Sequence, residues 1–236
     1  MDAEKKTSKC QWCGIEYVWG KGSFRFCSNE CYWKDYAKQT EKAVKAWRTE
    51  LPEDYQDTDP ARIPNQRALA ELMAWDFDSD SRTGLLISGA SGTGKTRSVL
   101  LKLQEILKRH GFRLSEQLIR ISGDGFASYL HKLLREQKSQ GDGYTGETPD
   151  EYIEKLIECE VLFFDEVDKL SLKSEWLAGF VFNLVNSRCE HRRPIIMASQ
   201  TRFTKVFSAP GLKAGSRDEA IIRRLTEYFE PINFDV

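Results

Sequence analysis

From about residue 84 onward the chain carries short, nearly continuous apolar runs. They are Gly84-Leu85-Leu86-Ile87-Ser88, Leu118-Ile119-Arg120-Ile121, Val161-Leu162-Phe163-Phe164, Pro194-Ile195-Ile196-Met197-Ala198 and Pro231-Ile232-Asn233-Phe234. Runs without polar alternation suit strands covered on both faces. Helical patterns separate them, Arg97 to His110 being the clearest, so the alternation predicts βαβ units around a parallel sheet. Between the second and third runs, Gly141-Asp142-Gly143-Tyr144-Thr145-Gly146 reads as a loop, because glycine at this density cannot hold a helix.

The N-terminal part has a different texture. Residues 1 to about 35 hold four of the six cysteines and many aromatics (Trp12, Tyr17, Trp19, Phe24, Phe26, Tyr32, Trp33). Residues 32–50 read as a helix, with Lys34, Lys38, Lys42 and Lys45 on one side and Ala37, Val44 and Trp47 available to pack. Leu51-Pro52 and Asp57-Thr58-Asp59-Pro60 break the chain. The expected organisation is a module at 1–50, a linker at 51–63 and an α/β domain at 64–236. No internal repeat or low-complexity tract is visible.

Composition bounds this picture. The 236 residues are 40% hydrophobic and 30% charged, a globular composition with room for one α/β domain and a small appendage. No apolar stretch approaches the roughly 18 residues of a membrane span. Met1-Asp2-Ala3-Glu4-Lys5-Lys6 lacks the apolar core of a signal peptide. A cytoplasmic location with no membrane partner is therefore expected, where cysteines serve as metal ligands or free thiols rather than disulfides. The net charge of −1 gives no support for a strongly basic nucleic-acid surface. Residues 1–50 carry ten Lys/Arg against seven Asp/Glu, hence +3, leaving −4 for the remainder. That asymmetry reads either as a weak hint of an anionic partner or as a solvated mixed-charge surface.

Gly89-Ala90-Ser91-Gly92-Thr93-Gly94-Lys95-Thr96 follows the first strand run and opens the helix after it. This is the strand–loop–helix context a phosphate-binding loop needs. Glycines let successive N–H groups point inward at phosphate oxygens, and the helix N-terminus adds a favourable dipole. Lys95 would reach the β- and γ-phosphates of ATP, and the Thr96 hydroxyl would ligate Mg²⁺. A glycine-rich turn with an incidental lysine is the alternative, and the flanking context weighs against it.

Val161-Leu162-Phe163-Phe164-Asp165-Glu166 ends an apolar strand in two acids. Ligands of parallel sheets collect at the carboxyl ends of strands. Asp165 would hold Mg²⁺, directly or through water, and Glu166 would orient or deprotonate an attacking water. A surface acid pair is the bland alternative.

Cys10-x2-Cys13-x13-Cys27-x3-Cys31 has spacings close to those of structural zinc sites. Gly14 would serve a knuckle turn, and Cys31 would sit in the first turn of the following helix. Phe26-Cys27-Ser28-Asn29-Glu30-Cys31 resembles treble-clef fingers with a Phe-Cys-Ser signature. So short a module cannot bury enough core unaided, so Zn²⁺ would contribute folding free energy. Its aromatics read as a small core or as stacking platforms for single-stranded bases. His110, His131 and His191 lie outside this segment, and Cys159 and Cys189 read as small packing residues.

Three segments together resemble the bacterial DnaC/DnaI/IstB branch of AAA+ ATPases, which are replicative helicase loaders and transposition helper ATPases. They are Gly89 to Thr96, Phe164-Asp165-Glu166, and Phe182 to Ile196 with its Asn186-Ser187-Arg188 and His191-Arg192-Arg193-Pro194. The resemblance covers roughly residues 52–236. It implies a P-loop AAA+ parallel sheet flanked by helices, beside the small N-terminal zinc-binding domain. It makes Gln200, with Ser199 as alternative, the polar sensor that ends the Ile195–Ala198 strand. Ala220-Ile221-Ile222-Arg223-Arg224-Leu225 is similar to the helix that carries the family's arginine finger, which makes Arg224 the first candidate and Arg223 the second. Since the sequence stops at Val236, a C-terminal lid is not expected, and hydrolysis by the isolated monomer should be weak.

The resemblance further implies an ATPase that loads a replicative helicase in DNA replication and forms a homo-oligomer when ATP-bound. Its partners would be the helicase, gripped by the N-terminal module, and single-stranded DNA. The compact build is consistent with a phage origin. Two alternatives stay open: an IstB-like helper that binds DNA and a transposase, and a zinc-dependent DNA-binding regulator that uses ATP only as an assembly switch.

Overall fold

All five apolar runs form strands, and burial explains why: every residue of Val161–Asp165 and of Ile195–Ser199 is buried. The computed structural model describes residues 7–18, 25–77, 84–111, 117–140, 144–170, 174–207 and 217–235, the side chains of 217 and 218 excepted. Trp19, Phe24 and the first half of the loop expected at 141–146 lie outside the described residues, while residues 144–146 are non-helical. The chain divides into two compact units, Met1–Gln56 with Gln104–Ser115, and Asp57–Leu103 with Glu116–Val236.

In the first unit, β1 (Thr7–Lys9) and β2 (Glu16–Val18) pair antiparallel, Ser8 opposite Tyr17. Helix α1 (Asn29–Glu50) follows, beginning earlier than its apolar pattern shows because the Ser28 hydroxyl accepts from Cys31 N and caps it. Thr40, Val44 and Trp47 form its buried face. The short helix α2 (Glu53–Gln56) is tied back to it, since Arg48 donates Nε and Nη2 to the Gln56 carbonyl at 2.9 and 2.6 Å.

The second unit runs α3 (Gln66–Ala74), β3 (Gly84–Ser88), α4 (Lys95–His110, counted with this unit up to Leu103), β4 (Leu118–Ser122) and α5 (Gly123–Gln140). It continues through α6 (Pro149–Glu158), β5 (Val161–Asp165), α7 (Glu175–Glu190) and β6 (Ile195–Ser199). It ends in α8 (Phe203–Val206), α9 (Arg217–Tyr228) and β7 (Phe229–Asn233). The strands form one sheet in the order β4-β5-β6-β3-β7, every pairing parallel. The last strand starts earlier than its apolar run because Phe229 pairs with Gly84, and Pro231 is tolerated on an edge strand. Thr148 and Glu151 cap α6 reciprocally. Phe126, Leu130, Leu156, Phe164, Val181, Leu184 and Met197 lie in one apolar cluster that holds helices and sheet together.

Two consequences position the site. The chain leaves β3 for the far edge, returns through β5 and β6, and crosses β3 to reach β7. Ser88 is thus in register with both Ser199 and Asn233, so strand ends meet where the strand order reverses, the usual crevice for ligands in open parallel sheets.

Candidate nucleotide site and cysteine cluster

Gly89–Thr96 joins the end of β3 to the start of α4, as its spacing predicts. Gly92 and Gly94 adopt φ of 81° and 88°, which side-chain-bearing residues rarely adopt. A Cβ on Gly94 would lie 3.2 Å from Ile63 Cγ2, so the 3₁₀ turn before α3 packs directly against the loop. Ala90, Ser91 and Gly92 face outward, and the Thr93 hydroxyl donates to Ala90 O at 2.9 Å. Lys95 is buried, and its Nζ donates to Gly89 O at 2.5 Å and Ala90 O at 2.7 Å. Burial lowers the Lys95 pKa, opposed by Asp168, Asp165, Asp235 and Glu166.

Asp165 closes β5 beside the loop. The Thr96 hydroxyl lies 3.3 and 3.1 Å from its two oxygens. A hydroxyl and a carboxylate facing each other at the mouth of a phosphate loop are a donor set that fits Mg²⁺. Arg120, from β4, donates Nη2 to Asp165 Oδ2 at 3.2 Å. Burial raises the Asp165 pKa, while the Arg120 and Thr96 hydrogen bonds pull it down. Glu166 adopts left-handed backbone angles (φ 51°, ψ 44°), strain of the kind that gathers at functional sites. Its carboxylate receives Lys169 Nζ at 2.8 Å.

Gln200 is exposed just beyond β6, and its backbone N–H donates to Asp168 Oδ1 at 2.7 Å. Ser199 is buried, its hydroxyl engaged with Thr201. On α9, Arg224 is drawn into its own chain: Nε donates to Asn186 Oδ1 at 3.0 Å, with Glu190 and Glu227 within 4 Å. The Arg223 side chain is 66% exposed, against 22% for Arg224.

The motifs do not disclose Arg120 and Asp235. Asp235 accepts Ala90 N at 2.6 Å, while its carbonyl receives Asn65 Nδ2 at 3.3 Å. A lone charge within an apolar strand run was the available signal for Arg120. Asp235 carries no such signal.

In the first unit, the sulfurs of Cys10, Cys13, Cys27 and Cys31 all lie within 4.8 Å of one another. Cys13 and Cys27 are 3.6 Å apart, Cys27 and Cys31 3.5 Å. Sulfurs around a tetrahedral ion with bonds of about 2.3 Å stand about 3.8 Å apart, so the set can hold a metal. Gly14, at φ 73°, makes the turn that returns its N–H to Cys10 O at 2.9 Å. Hydrogen bonds with Cys31 and Cys13, then burial, push the Cys27 thiol up to about 12. Cys10, although burial raises it, is brought down to about 6 by hydrogen bonds from the backbone at Cys13, Cys27 and Trp12. Four thiols this close cannot all ionise without a cation among them.

The strand order and the loop–Asp165 pairing define a P-loop fold of the AAA+ kind. Solved structures share that fold. The chain is similar to AMPPCP-bound DnaA from Aquifex aeolicus at 21% identity and TM-score 0.53, over 77% of this chain and 51% of that one. It is similar to DnaI at 18% identity and TM-score 0.50, over 82% and 90% of the two chains. With the DnaC helicase loader the figures are 14% and 0.50, over 75% and 93%. The chain thus spans about half the length of that DnaA. The sequence matches no protein-family model, and no curated protein matches it. Among the described residues, no helix is long and apolar enough to cross a membrane.

Proposed function

We propose that this protein binds ATP with Mg²⁺ at Gly89–Thr96, hydrolyses it, and acts in DNA replication as a helicase loader. The observation that carries the reading is the meeting of Thr96 with Asp165 beside a glycine-shaped phosphate loop. Backbone N–H groups of the loop and Lys95 bind phosphate oxygens, which requires Lys95 to exchange the Gly89 and Ala90 carbonyls for its ligand. Thr96 and Asp165 would hold Mg²⁺, which would supply charge neutralisation at the bound phosphates. Glu166, kept in place by Lys169, accepts the proton of the attacking water, and Gln200 orients that water as the sensor. A guanidinium from a neighbouring copy completes the site, and exposure favours Arg223 over Arg224.

The four cysteines bind Zn²⁺, and residues 1–50 form the module that meets the helicase, with 51–63 as linker and 64–236 as ATPase domain. Likeness of fold to DnaI and the DnaC helicase loader supports the loader role. The deciding experiment pairs a fluorescent ATP analogue with co-purification against a hexameric replicative helicase. Wild-type protein should bind the analogue and Lys95→Ala should bind it about tenfold or more weakly, and helicase should be retained only with residues 1–50 present. Absence of binding by the wild type would falsify the reading.

A further inference from the structure

Asp165 ends β5 with both oxygens engaged. Oδ2 receives Arg120 Nη2 at 3.2 Å and the Thr96 hydroxyl at 3.1 Å, and Oδ1 receives Glu166 N at 3.0 Å. Arg120 is in register with Phe163, and Ser122 with Asp165. Residues two apart on a strand share a face, so the Arg120 side chain runs beside β5 from the Phe163 ring to the Asp165 carboxylate. Its guanidinium carbon lies 5.9 Å from the ring centroid. The Asp165 side chain is 6% exposed and that of Arg120 28%. At that depth a charge pair is much stronger than on the surface. The same carboxylate is also the one that faces Thr96 as a metal ligand. One oxygen cannot serve a guanidinium and a divalent cation equally well.

We propose that Arg120 is a positioning residue that acts through Asp165, covering its carboxylate until a divalent cation arrives with nucleotide and thereby setting how much Mg²⁺ the site requires. The proposal rests on the ATP–Mg²⁺ reading above. The guanidinium lies over the Phe163 ring while it holds Oδ2, so an Arg120 that yields Oδ2 to a cation keeps the ring as a partner. The competition is reciprocal: the affinity that Arg120 takes from the metal equals the affinity that the metal takes from Arg120.

The test measures the affinity of a fluorescent ADP analogue against MgCl₂ concentration, with an EDTA baseline, for wild type, Arg120→Met, Arg120→Gln and Arg120→Lys. Removing one adjacent positive charge should lower the half-saturating Mg²⁺ concentration about tenfold in Arg120→Met, with the EDTA baseline moving by less than about twofold. Arg120→Lys, which keeps the charge, should stay close to wild type. Arg120→Gln makes the same charge test if Arg120→Met fails to fold by circular dichroism. An unchanged Mg²⁺ requirement in the neutral variants overturns the proposal, and so does a raised one, which would make Arg120 a support of the loaded site. If wild type binds no nucleotide, the parent reading fails instead, which is a separate outcome.

Discussion

Arg188 donates Nη2 to the carbonyl oxygen of Pro194 at 2.6 Å, tying the end of α7 to the entry of β6. Its Nη1 reaches Leu156 O at 2.7 Å and Cys159 O at 2.8 Å, so the same side chain also closes α6. The residue is fully buried. A guanidinium here satisfies helix-terminal carbonyls that would otherwise be orphaned in the core. Arg188→Met should cost about 3 kcal/mol or more. For a chain of this length that lowers the melting temperature by about 6 °C or more. Arg188→Lys should recover only part of this, since an ammonium cannot fork to two helix ends. Calorimetry on the three proteins tests it, and an unchanged melting temperature for Arg188→Met would refute the account.

Arg188 also shows where sequence reading stops. The phosphate loop was legible because its chemistry is local: a strand, spaced glycines, Lys95 and Thr96 follow one another without interruption. Asp165 was legible because it ends an apolar run. Arg188 stands out only as part of the Asn186-Ser187-Arg188 resemblance, and its burial and capping role stay invisible until α6 and β6 are placed around it. Arg120 needs the β4–β5 register, and Asp235 needs β7 beside β3; no periodicity fixes either. Strands β1 and β2, three residues each, are too short to show a period of two.

Lys95 and Glu166 should separate binding from chemistry. Lys95→Ala removes the charge that meets phosphate and should weaken ATP binding about tenfold or more. Glu166→Gln keeps the shape but accepts no proton, so turnover should fall by about 10² or more with binding retained. Equilibrium binding and single-turnover hydrolysis provide the two readouts. Full turnover by Glu166→Gln would remove Glu166 from the mechanism.

The cysteine cluster predicts a pH dependence with a definite sign. Cys27, raised to about 12, is protonated at neutral pH without metal, so Zn²⁺ must displace its proton and affinity must fall as pH falls. Cys10, lowered to about 6, is a thiolate at pH 7, and it adds a further proton to be displaced only as pH drops through about 6. In the metal-free module that lowered pKa contributes stability above the ordinary thiol range, and the contribution disappears as pH falls through about 6. Zinc release to a chromogenic chelator should therefore steepen between pH 7 and 5.5. Cys27→Ser should release metal at neutral pH and lose the near-ultraviolet signal of the N-terminal aromatics. A flat profile over this interval would count against four-thiolate ligation.

Arg223 and Arg224 are adjacent, yet their surroundings differ. Arg224 binds Asn186 within its own chain, and Arg223 is left largely to solvent. A residue that stabilises charge on a neighbour's phosphate must be free to leave its own surface. Arg223→Ala should therefore lower turnover by about 10³ while nucleotide affinity and melting temperature stay near wild type. Arg224→Ala should instead lower stability by about 1 kcal/mol, and with it the melting temperature by about 2 to 4 °C, because Asn186 Oδ1 loses the Arg224 donor. Mixing distinguishes action across an interface from action within one chain. Arg223→Ala keeps an intact phosphate loop and Lys95→Ala keeps an intact finger, so the two inactive variants combined should recover part of the wild-type rate. Recovery that grows with protein concentration places Arg223 in the neighbour's site, and no recovery at any ratio rules that placement out.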